Sequence, residues 1–440
     1  MAPVSPQRPR AAEDAATLAR RGGRDWLSLA LLEARNELLA RWARLAPAEP
    51  AEADGPGGGI DGDDRPPRGE RGGAVPLPGA DSMRAPSSEA PRLAARAGWF
   101  QEWWLARHVQ RARGEAADAT SPRLPGIEPR AEAWLRRAQA EDADAIRAYL
   151  GQTLEQSLDL LGHAEDDDAG LYFFRLALQH EDRLSERLGH LLLPLLPPPR
   201  AERAPVGVPA QRWWLGSAAP APGDTKAGYV PHGERWAHEV AVPEFEIDAQ
   251  CVNWAQFAEF AEDGGYDRRE CWSDAGWAWL QRDGRRAPRD VEQLAGSVLV
   301  ARAGQLLRAP AQQPAMQVTR HEAEAWCRWA GRRLPTEVEW ELAAHVAQRR
   351  GFAWGDVLEW VAGSARLFPG ADARVPPGTL DVIRPPVAAA PGGDAGDVVR
   401  CGVLRGCTSA TPARWRHPKA RRFALPHDDR QRSGFRSCAL

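Results

Sequence analysis

The residues best placed to do chemistry lie in the stretch LALQHEDRLSER, residues 176–187. Here His180 is followed directly by Glu181 and Asp182. On a helix these two carboxylates project about 100–200° around the axis from the imidazole, so the three cannot converge on one point. His180 shares a helical stripe with Phe173, Leu176, Ala177 and Leu184. Taken alone, an imidazole on such a stripe is more often a hydrogen-bonded core histidine than a ligand. Cys251, Cys271, Cys327, Cys401, Cys407 and Cys438 are scattered without a C-x-x-C pair. Free thiols fit that spacing better than a disulfide framework or a zinc site, with Cys401 and Cys407 expected at the surface.

The elements that carry these residues fall into two units, expected at 20–200 and 205–440. A chain of 440 residues exceeds what one core ordinarily fills. Residues 24–45 have apolar positions at helical spacing. Further helices are expected at about 94–113, closed by Gly114 as a C-terminal cap, then at 142–161 and 169–193. The prolines from Pro194 end the last one. Residues 46–91 are rich in Pro, Gly, Asp and Arg and are expected to be a disordered loop. Four amphipathic helices with one long connection suggest a four-helix bundle.

After the proline run the chain changes character. It becomes rich in Trp and Gly, with short strand-like runs at 238–248 and 398–406. Thr319 with Glu322, and Thr336 with Glu339, are spaced as capping boxes. Gly331 stands where the first of these helices should stop. The overall class is α+β and multidomain.

Lys and Arg number 57 against 60 Asp and Glu, a net charge of -3, with arginine greatly outnumbering lysine. This balance argues against nucleic acid held by bulk charge. The chain has no run of 18 apolar residues and no apolar signal core near Met1, so neither a membrane span nor export is expected, and the location reads as cytoplasmic. Most of the 19 tryptophans are expected to pack cores.

Three blocks, AWCRWAGRRLPTEVEWELAA (325–344), VLRGCTSATPAR (403–414) and SGFRSCA (433–439), resemble the formylglycine-generating-enzyme/sulfatase-modifying family. That family has a C-type-lectin-like domain. The blocks LSLALLEARN (27–36), AGWFQEWWLARHVQRARG (97–114), DDAGLYFFRLALQHED (167–182), ERWAHEVAVPEFEIDAQ (234–250) and EDGGYDRRECWSDAGWAWLQ (262–281) are similar to the selenoneine synthase branch of the ergothioneine-type sulfoxide synthases. The resemblance implies a DinB-like four-helix bundle ahead of the lectin-like domain. It also implies Fe(II) and O2-dependent joining of sulfur or selenium to the imidazole of hercynine (trimethylhistidine). The donor would be a thiol or a selenosugar.

The same resemblance implies three iron-binding histidines, one in G-H-x-x-W-F and two in H-E-x-x-H. Only His180 matches. Arg96 stands at the first position and Leu184 at the third. Leucine has no lone pair, and a guanidinium stays protonated and offers no acceptor. His108, His163 and His190 are the other histidines near enough in sequence to be weighed as substitutes. Arg96 is expected to pair with Glu181 or Asp182 in the space the metal would fill.

The family's Y-R-N-F stretch reads Ala420-Arg421-Arg422-Phe423, which marks Arg422 and Phe423 as substrate-binding candidates. V-W-E-W reads Val357-Leu358-Glu359-Trp360, and D-N-E reads His232-Gly233-Glu234. The resemblance implies a proton-donating tyrosine in sulfur-branch enzymes; residues 267–440 contain no tyrosine, and Phe368 falls in the region expected for it. Two readings stay open: an iron enzyme with an altered ligand set, and an inactive paralogue that acts as a scaffold or binds a small molecule such as a cationic betaine among tryptophans. A formylglycine-generating enzyme needs a reactive cysteine pair just past the RGGS-like motif, and none stands there.

Overall fold

A computed structural model describes residues 10–45, 89–192, 197–302, 305–372, 374–380, 383, 387–388 and 398–440. The expected loop at 46–91 lies almost wholly outside the described residues; its last residues open a helix instead.

Helices α1 (Arg10–Arg21) and α2 (Arg24–Leu45) are followed by α3 (Ala90–Gln101), α4 (Ala131–Arg136), α5 (Ala143–Gly162) and α6 (Asp168–Leu191). α2 packs on α6 and α5, and α3 packs on α5 and α6. α6 starts where the Asp167 side chain accepts from the Gly170 N–H. It is buried almost all round, which is unusual for a helix carrying Arg175, Glu181, Asp182, Arg183 and Glu186. Such charges persist inside only when paired.

The helix expected at 94–113 differs at both ends. It begins at Ala90, with Pro91 in the first turn where its missing N–H costs nothing. It closes in a π-helical turn, Glu102–Ala106. Beyond it the backbone finds partners elsewhere, Leu124 N–H donating to the Arg107 carbonyl at 2.9 Å and His108 bridging Arg123. Gly114 is therefore not a helix cap. It sits at φ +55° against the Ala169 backbone, an approach a Cβ would block.

The second unit holds strands β1 (Val206–Val208), β2 (Gln211–Leu215), β3 (His238–Val242) and β4 (Phe245–Ile247). Helices α7 (Trp254–Glu262) and α8 (Asp274–Asp283) follow, then strands β5 (Val291–Gln293), β6 (Leu299–Arg302) and β7 (Gln305–Arg308). Next come α9 (Arg320–Trp329), α10 (Glu337–Val346) and strands β8 (Leu358–Ser364), β9 (Val387–Ala388), β10 (Val398–Val399), β11 (Gly402–Gly406), β12 (Arg421–Ala424) and β13 (Ser433–Phe435).

Its centre is a four-stranded sheet in the order β12-β11-β8-β13, with only the β8–β13 pair parallel. Both expected capping boxes form at α9 and α10. A third, Asn253 with Gln256, opens α7. Gly331 lies just past α9 at φ +62°. The core gathers Trp254, Phe257, Phe260, Trp360 and Phe435, so these aromatic rings are scaffold. Glu359, at the V-W-E-W position, is fully buried and paired with Arg436 (Nη2–Oε1, 2.8 Å) while accepting from Trp340 Nε1. All six cysteines are buried and unpaired, which corrects the surface position expected for Cys401 and Cys407. Burial drives the Cys407 thiol up to about 12, far from a reactive thiolate.

Candidate functional site

α6 is the wall shared by the two units. Its residues 179–186 alternate between partners in the helices and partners from the sheet unit. Glu181 turns inward: it binds Arg35 of α2 and accepts from Gln101 Nε2 at 2.6 Å. Asp182 faces the sheet unit and holds Arg414 with two bonds (2.6 and 2.8 Å) and Trp415 Nε1 (2.6 Å). The expected pairing of Arg96 with either carboxylate is thus overturned, because Arg35 and Arg414 already claim them. Arg96 instead donates from Nη2 to the Gly378 carbonyl oxygen at 3.1 Å.

His180 is 3% exposed, and neither ring nitrogen has a hydrogen-bond partner. Its ring stacks on Phe100, centroids 3.8 Å apart and planes within 7°. Burial, with the nearby Arg96 charge, holds its pKa well below the usual imidazole value, so it is neutral near pH 7. Leu184, one turn on, is fully buried in an apolar cluster with Ala97, Tyr149, Leu150 and Leu188. The three positions at which the resemblance implies iron ligands therefore hold one imidazole, one alkyl group and one cation.

The three other histidines weighed from the sequence bring no substitute. His108 is buried against Trp104 and Phe173 with Nδ1 3.2 Å from Ser121 Oγ, and His163 Nδ1 is bonded to the Asp159 carbonyl. His190 Nε2 lies 3.0 Å from Thr408 Oγ1. Among the described residues no group of three His, Cys, Asp or Glu side chains could hold a metal ion. The donor set does not fit a tightly held Fe(II), since soft or borderline transition ions need several converging N, O or S donors.

Arg422 enters from β12 and is 5% exposed. Its Nη2 reaches both oxygens of Glu186 on α6, at 2.7 and 3.0 Å. Glu186 also accepts from Thr408 Oγ1 (2.9 Å), Thr411 and Arg183. Burial opposes its ionisation, yet Arg422 and Arg183 together hold the carboxyl well below the usual range. Phe423 lies 8% exposed, with the Arg421 guanidinium 5.0 Å over its ring. Arg421 pairs with Glu337 and sits 3.9 Å over Phe368, which is buried.

Between α6 and the turn at 231–234 lies a small cavity walled by Gln179, Arg183, His232, Thr379, Leu380 and Arg421. Its volume is about 20 Å³, room for about one water. No tryptophan lines it among the described residues; the wall is rich in donors. His232 contacts Tyr172 Oη (3.2 Å), and burial lowers its pKa to about 3. Glu234 is buried and tied to Ser217 and, from α1, to Arg20. Neither α1 nor this tether was signalled by periodicity, because α1 is short and precedes the first long apolar pattern.

The model of the sulfatase-modifying factor enzyme 1-like domain matches residues 218–375. A hercynine oxygenase of Mycolicibacterium smegmatis is 33% identical over 296 residues, covering 64% of this chain and 67% of that protein. A hercynine oxygenase of Mycolicibacterium thermoresistibile is 41% identical over 152 residues, 34% of this chain and 33% of that one. The formylglycine-generating enzyme of Streptomyces coelicolor is 33% identical over 178 residues, 36% of this chain and 53% of that enzyme.

Proposed function

Because this chain belongs to the family of ergothioneine-type sulfoxide synthases and formylglycine-generating-enzyme-like proteins, we propose that it is a small-molecule-binding member that has lost the iron-dependent reaction. Its ligand on this reading is hercynine or a closely similar imidazole betaine, taken at the junction of α6 and the sheet unit. The observation that carries the reading is Leu184, fully buried and without a donor atom one turn beyond His180. Arg96 adds to it, since a guanidinium beside the imidazole disfavours a divalent cation. The DinB-like origin of the helices, a cytoplasmic location, and roles for Arg422 and Phe423 in shaping the site belong to the same proposal.

A second reading keeps the protein among working synthases of the selenium or sulfur branch. On that reading it joins a selenosugar or thiol donor to hercynine, with O2 as oxidant. The two unpartnered nitrogens of buried His180 favour it, since orphaned polar atoms inside a protein often mark an absent ligand. Metal analysis after anaerobic Fe(II) loading, followed by hercynine and oxygen consumption assays, decides between the two. Calorimetric binding of hercynine without iron uptake or turnover supports the first. Stoichiometric iron with hercynine consumption sinks it.

A further inference from the structure

The junction cavity is far too small for a betaine, and part of its wall is Thr379 and Leu380, the end of a short stretch of chain at residues 376–380. This stretch lies across α3. Trp104 Nε1 donates to the Pro377 carbonyl at 3.1 Å, and Arg96 Nη2 donates to the Gly378 carbonyl at 3.1 Å. It is wound into a turn of its own, Thr379 N–H and Oγ1 both donating to the Pro376 carbonyl (3.1 and 2.6 Å).

Gly378 adopts φ +85° and lies so close to α3 that a Cβ there would stand 3.0 Å from the Trp99 ring and 3.5 Å from Phe100. Phe100 is the ring stacked on His180. Leu380 packs against the apolar cluster that contains Ala97 and Leu184. Residues 376–380 thus bond to Arg96 directly, lie against the Phe100 ring that stacks on His180, and pack on the apolar cluster that holds Leu184.

We propose that residues 376–380 form a built-in plug that closes the small-molecule site, with Arg96 as its anchor. The geometry gives the arginine a positive task. A charged donor on α3 grips a backbone carbonyl of the plug, and charge-assisted bonds of this kind are stronger than neutral ones. Ligand entry then requires the plug to lift, so the ligand's apparent affinity is reduced by the fraction of time the plug is closed. The anchoring stands on its own contacts. The gating of hercynine rests on the function proposed above.

Amide hydrogen exchange followed by mass spectrometry on the full chain separates the two. Two variants attack the contact from opposite sides: Arg96→Ala removes the anchor, and Gly378→Ala puts a methyl 3.0 Å from the Trp99 ring at a positive φ that L side chains rarely adopt. The expected result is about tenfold faster exchange at the plug amides in each variant, with α6 amides 180–188 unchanged. If one variant does not fold, the other gives the same reading. Unchanged plug exchange in a folded variant overturns the anchoring. Calorimetry with hercynine is the second arm. Tighter binding in Arg96→Ala than in the natural protein supports gating. Equal affinity in both overturns gating. Absence of binding in both, with faster exchange, sinks the proposed ligand and leaves the plug standing.

Discussion

Phe100 and His180 form a parallel stack at 3.8 Å in the middle of the helical unit, and the imidazole so held has no hydrogen-bond partner on either nitrogen. A buried polar group in that state costs the fold about 1–3 kcal/mol relative to an apolar group of similar shape. The ring is there, but the hydrogen bonds that usually justify a core histidine are not.

Replacement His180→Leu is accordingly expected to be neutral or stabilising by about 1–2 kcal/mol at pH 7 in thermal or urea unfolding. The pH dependence sharpens the test. The folded-state pKa of His180 is depressed, whereas the unfolded value is about 6.5. Below that pH the unfolded chain takes up a proton that the folded chain refuses. Stability is therefore lost as pH falls from about 6.5 toward the folded pKa, at no more than about 1.4 kcal/mol per pH unit. His180→Leu should flatten the acid limb by up to that slope, although His232 keeps part of it through its own lowered pKa. Marked destabilisation at pH 7 with an unaltered acid limb would show that the imidazole has a partner after all.

Restoring donors tests the metal argument directly. Arg96→His with Leu184→His supplies imidazoles at the two other positions where the resemblance implies iron ligands, and removes a cation beside His180 at the same time. The expected outcome is a rise from sub-stoichiometric to near-stoichiometric iron after anaerobic loading, read by elemental analysis. Each single variant should stay low, because two donors hold labile iron weakly. Full iron occupancy in the unaltered chain contradicts the reading.

Much of this arrangement was legible in the sequence wherever a local rule decides the outcome. The capping boxes at Thr319 and Thr336, helix α2 and helix α6 follow from short-range pattern, and they stand where spacing placed them. The departures come from long-range partners. α3 gives way to a π turn because Glu102 is drawn to Tyr149 Oη and the Ile127 N–H, 47 and 25 residues away. Glu181 and Asp182 looked available to Arg96, yet Arg35 and Arg414 lie 146 and 232 residues from them and reach them first. Arg422 is read from sequence as a substrate-binding candidate. The side chain that meets it, Glu186, is 236 residues distant. No periodicity carries that information.

That last contact is the joint between the two units, and breaking it should be costly. Arg422 and Glu186 have side chains 6% and 1% exposed, so neither charge can fall back on water when the other is removed. Loss of one partner from a buried pair typically destabilises by about 3–5 kcal/mol. Arg183, Thr408 and Thr411 remain to satisfy Glu186 in Arg422→Ala, which puts the expected loss at the lower end, about 3 kcal/mol in urea unfolding. Glu186→Gln leaves Arg422 with a neutral partner and should cost a similar amount. The double variant should cost clearly less than the sum of the two, because the pair acts as a unit. The carboxyl of Glu186 also sets a pH signature. Its folded pKa is depressed, so its contribution is full above about pH 4.3 and is lost as pH falls through the folded value; Glu186→Gln should remove that segment of the acid curve. Strictly additive single losses would mean that α6 and β12 are held together by packing, and that this bridge contributes nothing to the joint.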